Sequence, residues 1–140
     1  MKNIFIDTNV IIDFLGNRES FSNSATELFD LYADNKKKIF VSATSYTNVY
    51  YLMYKQIKSH KTVISLLSTL FEITELIDTN NNIISQSLHS EFLDFEDAIQ
   101  FYAALSNKKI EIIVSRDKKG FKKSTLPVMD VEQALRVCLQ

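Results

Sequence analysis

Phe95-Glu96-Asp97-Ala98-Ile99-Gln100-Phe101-Tyr102-Ala103-Ala104-Leu105 carries apolar residues at Phe95, Ala98, Ile99, Tyr102 and Leu105, the spacing of one helix face. After Ser106 to Lys109 comes Ile110-Glu111-Ile112-Ile113-Val114, a run of strand length with little polar alternation, which suits a strand buried on both faces. The same unit recurs outward in both directions. Short apolar runs stand at Ile4 to Ile6, Ile39 to Val41, Ile73 to Leu76 and Pro127 to Met129. Between them lie helical patterns: Ala25, Leu28, Phe29 and Tyr32; Tyr46, Val49, Tyr50, Met53 and Ile57; Val63, Leu66, Leu67 and Leu70; Ile83, Ile84 and Leu88. A last helix opens at Asp130, with Gln133 placed to complete a capping box. Parallel strands need crossovers, and helical crossovers cover both faces of a sheet. The expected fold is therefore α/β, a three-layer α/β/α sandwich around a mostly parallel sheet of four or five strands.

The chain has 140 residues, 46% of them apolar, which fits one core and one domain over 1–140. Two glycines and one proline leave no linker-like stretch on which to divide it. Sixteen basic against 17 acidic residues give a net charge of −1, so the chain lacks the global positive field of a nucleic-acid-coating protein and any such contact is local. Cys138 has no intramolecular partner, and His60 and His89 stand apart from any zinc-like spacing. A reducing, cytoplasmic setting follows, and no apolar run marks a signal peptide or a membrane span.

In open parallel sheets, polar groups just beyond the strand C-terminal ends share one crevice even when distant in sequence. Asp7 follows Ile4-Phe5-Ile6 directly, Asp117 comes shortly after Val114, and Asp97 lies in the first turn of the helix that precedes the fourth strand. Each has an ordinary local reading as well. Asp7 suits an N-cap for Thr8 to Phe14, Asp94 and Asp97 have the spacing of a cap and its partner, and Asp117 suits a solvated turn. Together, however, carboxylates repel unless a cation neutralises them. Oxygen ligands without His or Cys favour Mg²⁺ or Mn²⁺, and the matching chemistry is phosphodiester hydrolysis.

Three stretches carry a resemblance: Ile6-Asp7-Thr8-Asn9-Val10, Asp94-Phe95-Glu96-Asp97-Ala98-Ile99-Gln100, and Val114-Ser115-Arg116-Asp117-Lys118-Lys119-Gly120-Phe121. In order and spacing they resemble the PIN domains, more narrowly the VapC-like toxin nucleases of bacterial toxin–antitoxin pairs. The resemblance implies a metal-dependent endoribonuclease with Asp7, Asp97 and Asp117 as catalytic and metal-binding residues. It also implies RNA as substrate, a small antitoxin as partner, and a homodimer. Thr8, Asn9 and Ser115 match positions whose hydroxyl or amide groups orient ligands and water. Two positions depart from the family pattern. Asn48 stands where many PIN nucleases carry a glutamate, which leaves Asp94 or Glu96 to supply the missing carboxylate, with Asp94 favoured on helical geometry. Gly120 stands where similar proteins often carry an acid.

Around this centre, Lys118, Lys119, Lys122 and Lys123 follow Asp117 and would set positive charge where an RNA backbone must pass. Lys36 to Lys38 read as part of a turn. Tyr46 and Tyr50 lie on the core-facing stripe of their helix, whereas Tyr51 and Tyr54 lie off it, free to meet RNA or a second copy. His60, after Ser59 at a helix start, and His89 read as structural. Two rival readings remain. One is a PIN-like RNA- or protein-binding module with weak or lost catalysis, which Asn48 favours. The other is a receiver-like phosphoryl-transfer domain, which calls for an acidic pair at the first strand where this chain has Asp7-Thr8-Asn9.

Overall fold

The computed structural model describes residues 1–16 and 22–139. In chain order the elements are β1 (Ile4–Ile6), α1 (Thr8–Leu15), α2 (Ser22–Tyr32), β2 (Ile39–Ser42), α3 (Ala43–Ile57), α4 (His60–Ile73), β3 (Glu75–Ile77), α5 (Asn81–Leu88), α6 (Phe95–Leu105), β4 (Ile112–Val114), β5 (Val128–Met129) and α7 (Val131–Cys138). The strands form a five-stranded sheet in the order β3-β2-β1-β4-β5, and every neighbouring pair is parallel.

Strand residues alternate between faces, so an all-apolar strand feeds two cores. Ile4 and Ile6 of β1, with Ile39, Val41, Ile112 and Val114, pack in one cluster with apolar residues of α1, α2, α3, α4 and α7. Phe5, Phe40 and Ile113 pack on the other face with Ile83 of α5 and with Ile99, Phe101, Ala103 and Ala104 of α6. This is the expected three-layer sandwich, with α5 and α6 forming the thinner outer layer.

The sequence reading shifts at the sheet edges. Ile73 was expected to open a strand; it ends α4 instead, and the strand runs over Glu75–Ile77. Glu75 and Leu76 are exposed, because an edge strand has a neighbour on one side only. β4 begins at Ile112 rather than Ile110, and β5, the other edge, holds only the half-buried Val128 and Met129. In α3, Val49 and Met53 are buried, Tyr46 and Tyr50 pack against the first cluster, and Ile57 at the helix end is exposed. The α7 capping box forms in both directions: the Gln133 amide donates to Asp130 Oδ1 at 2.8 Å and the Asp130 amide to Gln133 Oε1 at 3.0 Å. His60 holds α4 to α3 through a 2.9 Å hydrogen bond between its Nδ1 and Tyr50 Oη. Among the described residues, no helix is long and apolar enough to cross a membrane.

Candidate active site

The register of the two central strands fixes the first half of the site. Ile6 pairs with Val114, and the Asp7 amide donates to the Val114 carbonyl at 3.0 Å, so Asp7 and Ser115 leave the sheet side by side. Asp7 is also the N-cap of α1, its Oδ1 accepting the Thr8 amide at 2.8 Å. Its Oδ2 accepts the Ser115 hydroxyl at 2.8 Å, while Asn9 Nδ2 approaches at 3.4 Å. The Ser115 Oγ in turn accepts the Asp117 amide at 3.0 Å, so one hydroxyl links the two acidic positions. Asn9 Oδ1 accepts the Arg116 amide at 3.2 Å and fixes the same corner from α1. The capping reading of Asp7 is thus compatible with a place in the cleft, because capping engages one carboxylate oxygen and leaves the other to face Ser115.

The second half comes from α6. Asp97 lies in its first turn, and Gln100, three residues on along the same face, is fully buried. Gln100 Nε2 lies 3.1 Å from Asp7 Oδ1, 2.7 Å from Ser45 Oγ and 3.3 Å from Thr8 Oγ1, and its Oε1 accepts the Ser42 hydroxyl at 2.5 Å. The amide therefore ties α6 to the exits of β1 and β2 and to the first turns of α1 and α3. Sequence reasoning missed Gln100, Ser42 and Ser45. The available signal was a polar residue inside the apolar run Ala98 to Ala104, since a buried amide persists where it has partners. Thr8 belongs to this network rather than to the cleft floor alone, its hydroxyl 3.1 Å from Ser45 Oγ.

Asp7, Asp94, Glu96, Asp97 and Asp117 line one cleft of about 290 Å³, with Thr8, Asn9, Ile12 and Leu52 completing the wall. Two expectations change here. Asp94 occupies the N-cap position of α6, yet its side chain makes no capping hydrogen bond, and it faces the cleft instead. Asp94 was favoured over Glu96 as the extra carboxylate; Glu96 lines the cleft as well, and the side chains of Thr8 and Asn48 stabilise its charge. Asn48 therefore stands next to a carboxylate supplied from another helix. Gly120 lies close behind two of the acids: a Cβ there would fall 2.2 Å from Asp97 Oδ2 and 2.6 Å from Asp117 Oδ2.

The basic and aromatic positions divide. Lys119 and Lys122 line an adjoining cavity that reaches Asp97 and Asp117. Lys118 turns away, donating from Nζ to Gln133 Oε1 at 2.9 Å on α7. Tyr51 is 63% exposed and lies against Tyr50 rather than in either cavity; Leu52, the next residue, is the one that reaches the cleft.

Electrostatics favour a cation. Burial raises the Asp7 pKa, and the Asp117 charge adds to it, against hydrogen bonds from Ser115, Gln100 and Thr8 that lower it. Burial, helped by the charges of Asp7, Asp94, Asp117 and Glu96, pushes Asp97 up to about 7. Glu96 is raised for the same reasons, burial first. None of the five acids forms an ion pair with a lysine or arginine among the described residues. Nor do three of them already converge to the spacing of a closed metal cage among those residues. That pattern fits a hard cation such as Mg²⁺, which keeps several waters and takes only one or two protein carboxylates directly.

Fold and cleft together define a parallel α/β protein with an acidic site at the C-terminal edge of its sheet. The chain belongs to the PIN domain family, whose family model matches residues 3–119. It is similar to Ribonuclease VapC1 of Aquifex aeolicus (strain VF5), 25% identical over 137 residues that cover 94% of this chain and 92% of that protein. Its fold is similar to that of Mycobacterium tuberculosis VapC20, a Sarcin-Ricin loop cleaving toxin, with TM-score 0.62 and 18% identity over 79% of this chain and 87% of that one. VapBC2 from Rickettsia felis, solved bound to a DNA fragment from its promoter, matches with TM-score 0.67 and 16% identity over 91% of this chain and 96% of that one. FitAcB from Neisseria gonorrhoeae matches with TM-score 0.60 and 17% identity over 92% of this chain and 98% of that one.

Proposed function

We propose that the chain is a Mg²⁺- or Mn²⁺-dependent endoribonuclease that hydrolyses RNA phosphodiester bonds and acts as the toxin of a toxin–antitoxin pair in the cytoplasm. The observation that carries this reading is the gathering of Asp7, Asp97 and Asp117, with Asp94 and Glu96, around one cleft, none of them in an ion pair among the described residues. The likeness to a protein named a ribonuclease and to toxin structures supports RNA as the substrate and a toxin's role. A small antitoxin partner follows from the same likeness, VapBC2 being solved as a pair, and a homodimer is the accompanying assembly, with the exposed Tyr51 and Tyr54 available to it.

Asp7, Asp97 and Asp117 would surround the cation, one or two of them as direct ligands, with Asp94 and Glu96 adding negative charge at the rim. When bound, the cation supplies the Lewis acidity that phosphodiester hydrolysis requires. Hydrogen bonds from Ser115, Gln100 and the Thr8 amide favour the charged form of Asp7 against its burial and fix the direction of its carboxylate. Asn9 and Ser115 set the spacing between Asp7 and Asp117, and Asn48 steadies Glu96. Lys119 and Lys122 offer positive charge to the RNA backbone beside the acids. RNA cleavage in added Mn²⁺ tests the reading, with Asp7→Asn and Asp97→Asn both expected to abolish it. Full activity in both variants would overturn it. A binding module without turnover is distinguished by Mn²⁺ calorimetry together with that assay: cation binding with no cleavage selects the module.

A further inference from the structure

At the end of the sheet opposite the acidic cleft, two lysine-bearing turns enter the strands on either side of β1. Lys36 to Lys38 lead into β2, and Lys108 and Lys109 come shortly before β4. The side chain of Asn3, the residue before β1, joins the two turns. Its Oδ1 accepts the Lys38 amide at 2.8 Å and its Nδ2 donates to the Lys109 carbonyl at 3.1 Å. The backbone ties them again, the Ile4 amide donating to the Lys38 carbonyl at 3.1 Å and the Glu111 amide to the Asn3 carbonyl at 3.0 Å. Residues of both turns line a cavity of about 390 Å³, where Lys36, Lys38 and Lys109 stand with Asn107, Glu75 and Leu76. Lys36, Lys38 and Lys109 are exposed and form no ion pair among the described residues.

A run of surface lysines is ordinarily a solvated face. Here the ties through Asn3 fix two separate turns against each other, so three ammonium groups share one concave basin, and a concave wall of one sign focuses its field on the space it encloses. Each ammonium has three donors and no acceptor, so the complementary ligand carries several anionic oxygens on one short scaffold. We propose that this basin binds an oligophosphate group, either a free inorganic chain or the phosphates of a nucleotide. A carboxylate or a single phosphate leaves most of the donors unmatched, whereas linked phosphates present charged acceptors to all three lysines. The cavity lies within the range of small-ligand pockets, about 300–1,000 Å³. Glu75, the one acid among the described residues of its wall, stands beside Leu76 at the start of β3, where a nucleoside would meet an acceptor for its hydroxyl or amino groups and an apolar contact. The site is separate from the acidic cleft and does not rest on the ribonuclease reading.

The test is calorimetric titration of the full chain with inorganic tripolyphosphate, with ATP and with orthophosphate, in chelator so that no divalent cation bridges a phosphate to the acids. Wild type is expected to bind tripolyphosphate at one site, roughly tenfold or more tighter than orthophosphate. Lys36→Ala combined with Lys109→Ala is expected to weaken that binding by about tenfold or more, with Mn²⁺ affinity at the cleft unchanged. Asn3→Ala is expected to weaken it as well, although every lysine remains, because the two turns lose their tie. Lys119→Ala combined with Lys122→Ala, beside the acids, should leave it as it is. Tighter binding of ATP than of tripolyphosphate assigns the basin to a nucleotide, and equal or weaker binding assigns it to the free chain. Orthophosphate bound as tightly as tripolyphosphate, full binding after loss of Lys36 and Lys109, or binding lost instead with Lys119 and Lys122 would overturn the site.

Discussion

Asp97 Oδ2 lies 2.2 Å from the point where a Cβ on Gly120 would sit, so the carboxylate occupies the space that any other residue at 120 would fill. Asp117 Oδ2 crowds the same point at 2.6 Å. Both obstructing atoms are tips of side chains, so Gly120→Ala is expected to fold normally while swinging the two acids apart. Disturbing the groups that orient metal ligands costs about 10–100-fold in affinity, and a Mn²⁺ affinity lowered within that range is the expected result. Calorimetric titration beside a thermal melt checks it; unchanged affinity would mean that neither acid needs its present position.

Gln100→Leu keeps the volume but removes the amide on which Asp7, Ser42 and Ser45 converge. Each buried polar group left without a partner costs about 1–3 kcal/mol, so a loss of at least that size is expected in urea denaturation. A neutral outcome would show that water replaces the amide.

Asp13, 1% exposed on α1, receives a bidentate grip from Arg116, with Nε at 2.8 Å from Oδ2 and Nη2 at 3.2 Å from Oδ1. Losing this forked, charge-assisted contact is expected to make Arg116→Ala less stable by about 1.5–3 kcal/mol, the range for hydrogen bonds to a charged group. Arg116→Lys restores charge without the fork and should recover only part of the loss. Denaturant midpoints for the three proteins decide it.

In the cation-free protein, Asp97 titrates near 7 when folded and near its ordinary value of 3.8 when unfolded. Below the lower value both states are protonated. Between the two the unfolded chain releases its proton while the folded one keeps it, so stability falls as pH rises from about 4 to about 7 and then levels off. In chelator, the melting temperature at about pH 8 is expected to lie below that at about pH 5, with the gap reduced in Asp97→Asn and closed by excess Mn²⁺. An equally steep profile in Asp97→Asn would assign the effect to other groups.

What was legible in the sequence was whatever depends on periodicity or on a local partner. The all-apolar Ile4 to Ile6 implied helices on both faces, and Asp130 with Gln133 implied a capping box, because each pattern is complete within a few residues. Edge positions were misread at Ile73 and Ile110, since an apolar residue looks the same in a strand as in the helix or loop leading to it. In the cleft, Gln100 reaches Asp7 across 93 positions and Ser45 across 55, which no local pattern encodes. The directions of Glu96 and Lys118 were illegible for a related reason: long side chains choose their direction from partners, here Thr8 and Asn48 for one and Gln133 for the other.

The pairing of Ile6 with Val114 has a consequence for how this chain can fail. Sliding β4 by one residue against β1 would turn Ile113 toward the wrong core and bring Arg116, not Ser115, beside Asp7. The slip would also carry Ser115 and Arg116 into the buried places of Val114 and Ser115, so the register that keeps those places filled is the one that assembles the acidic corner. A molecule of this chain that has packed its two cores correctly has, by that act, already proofread half of its cleft.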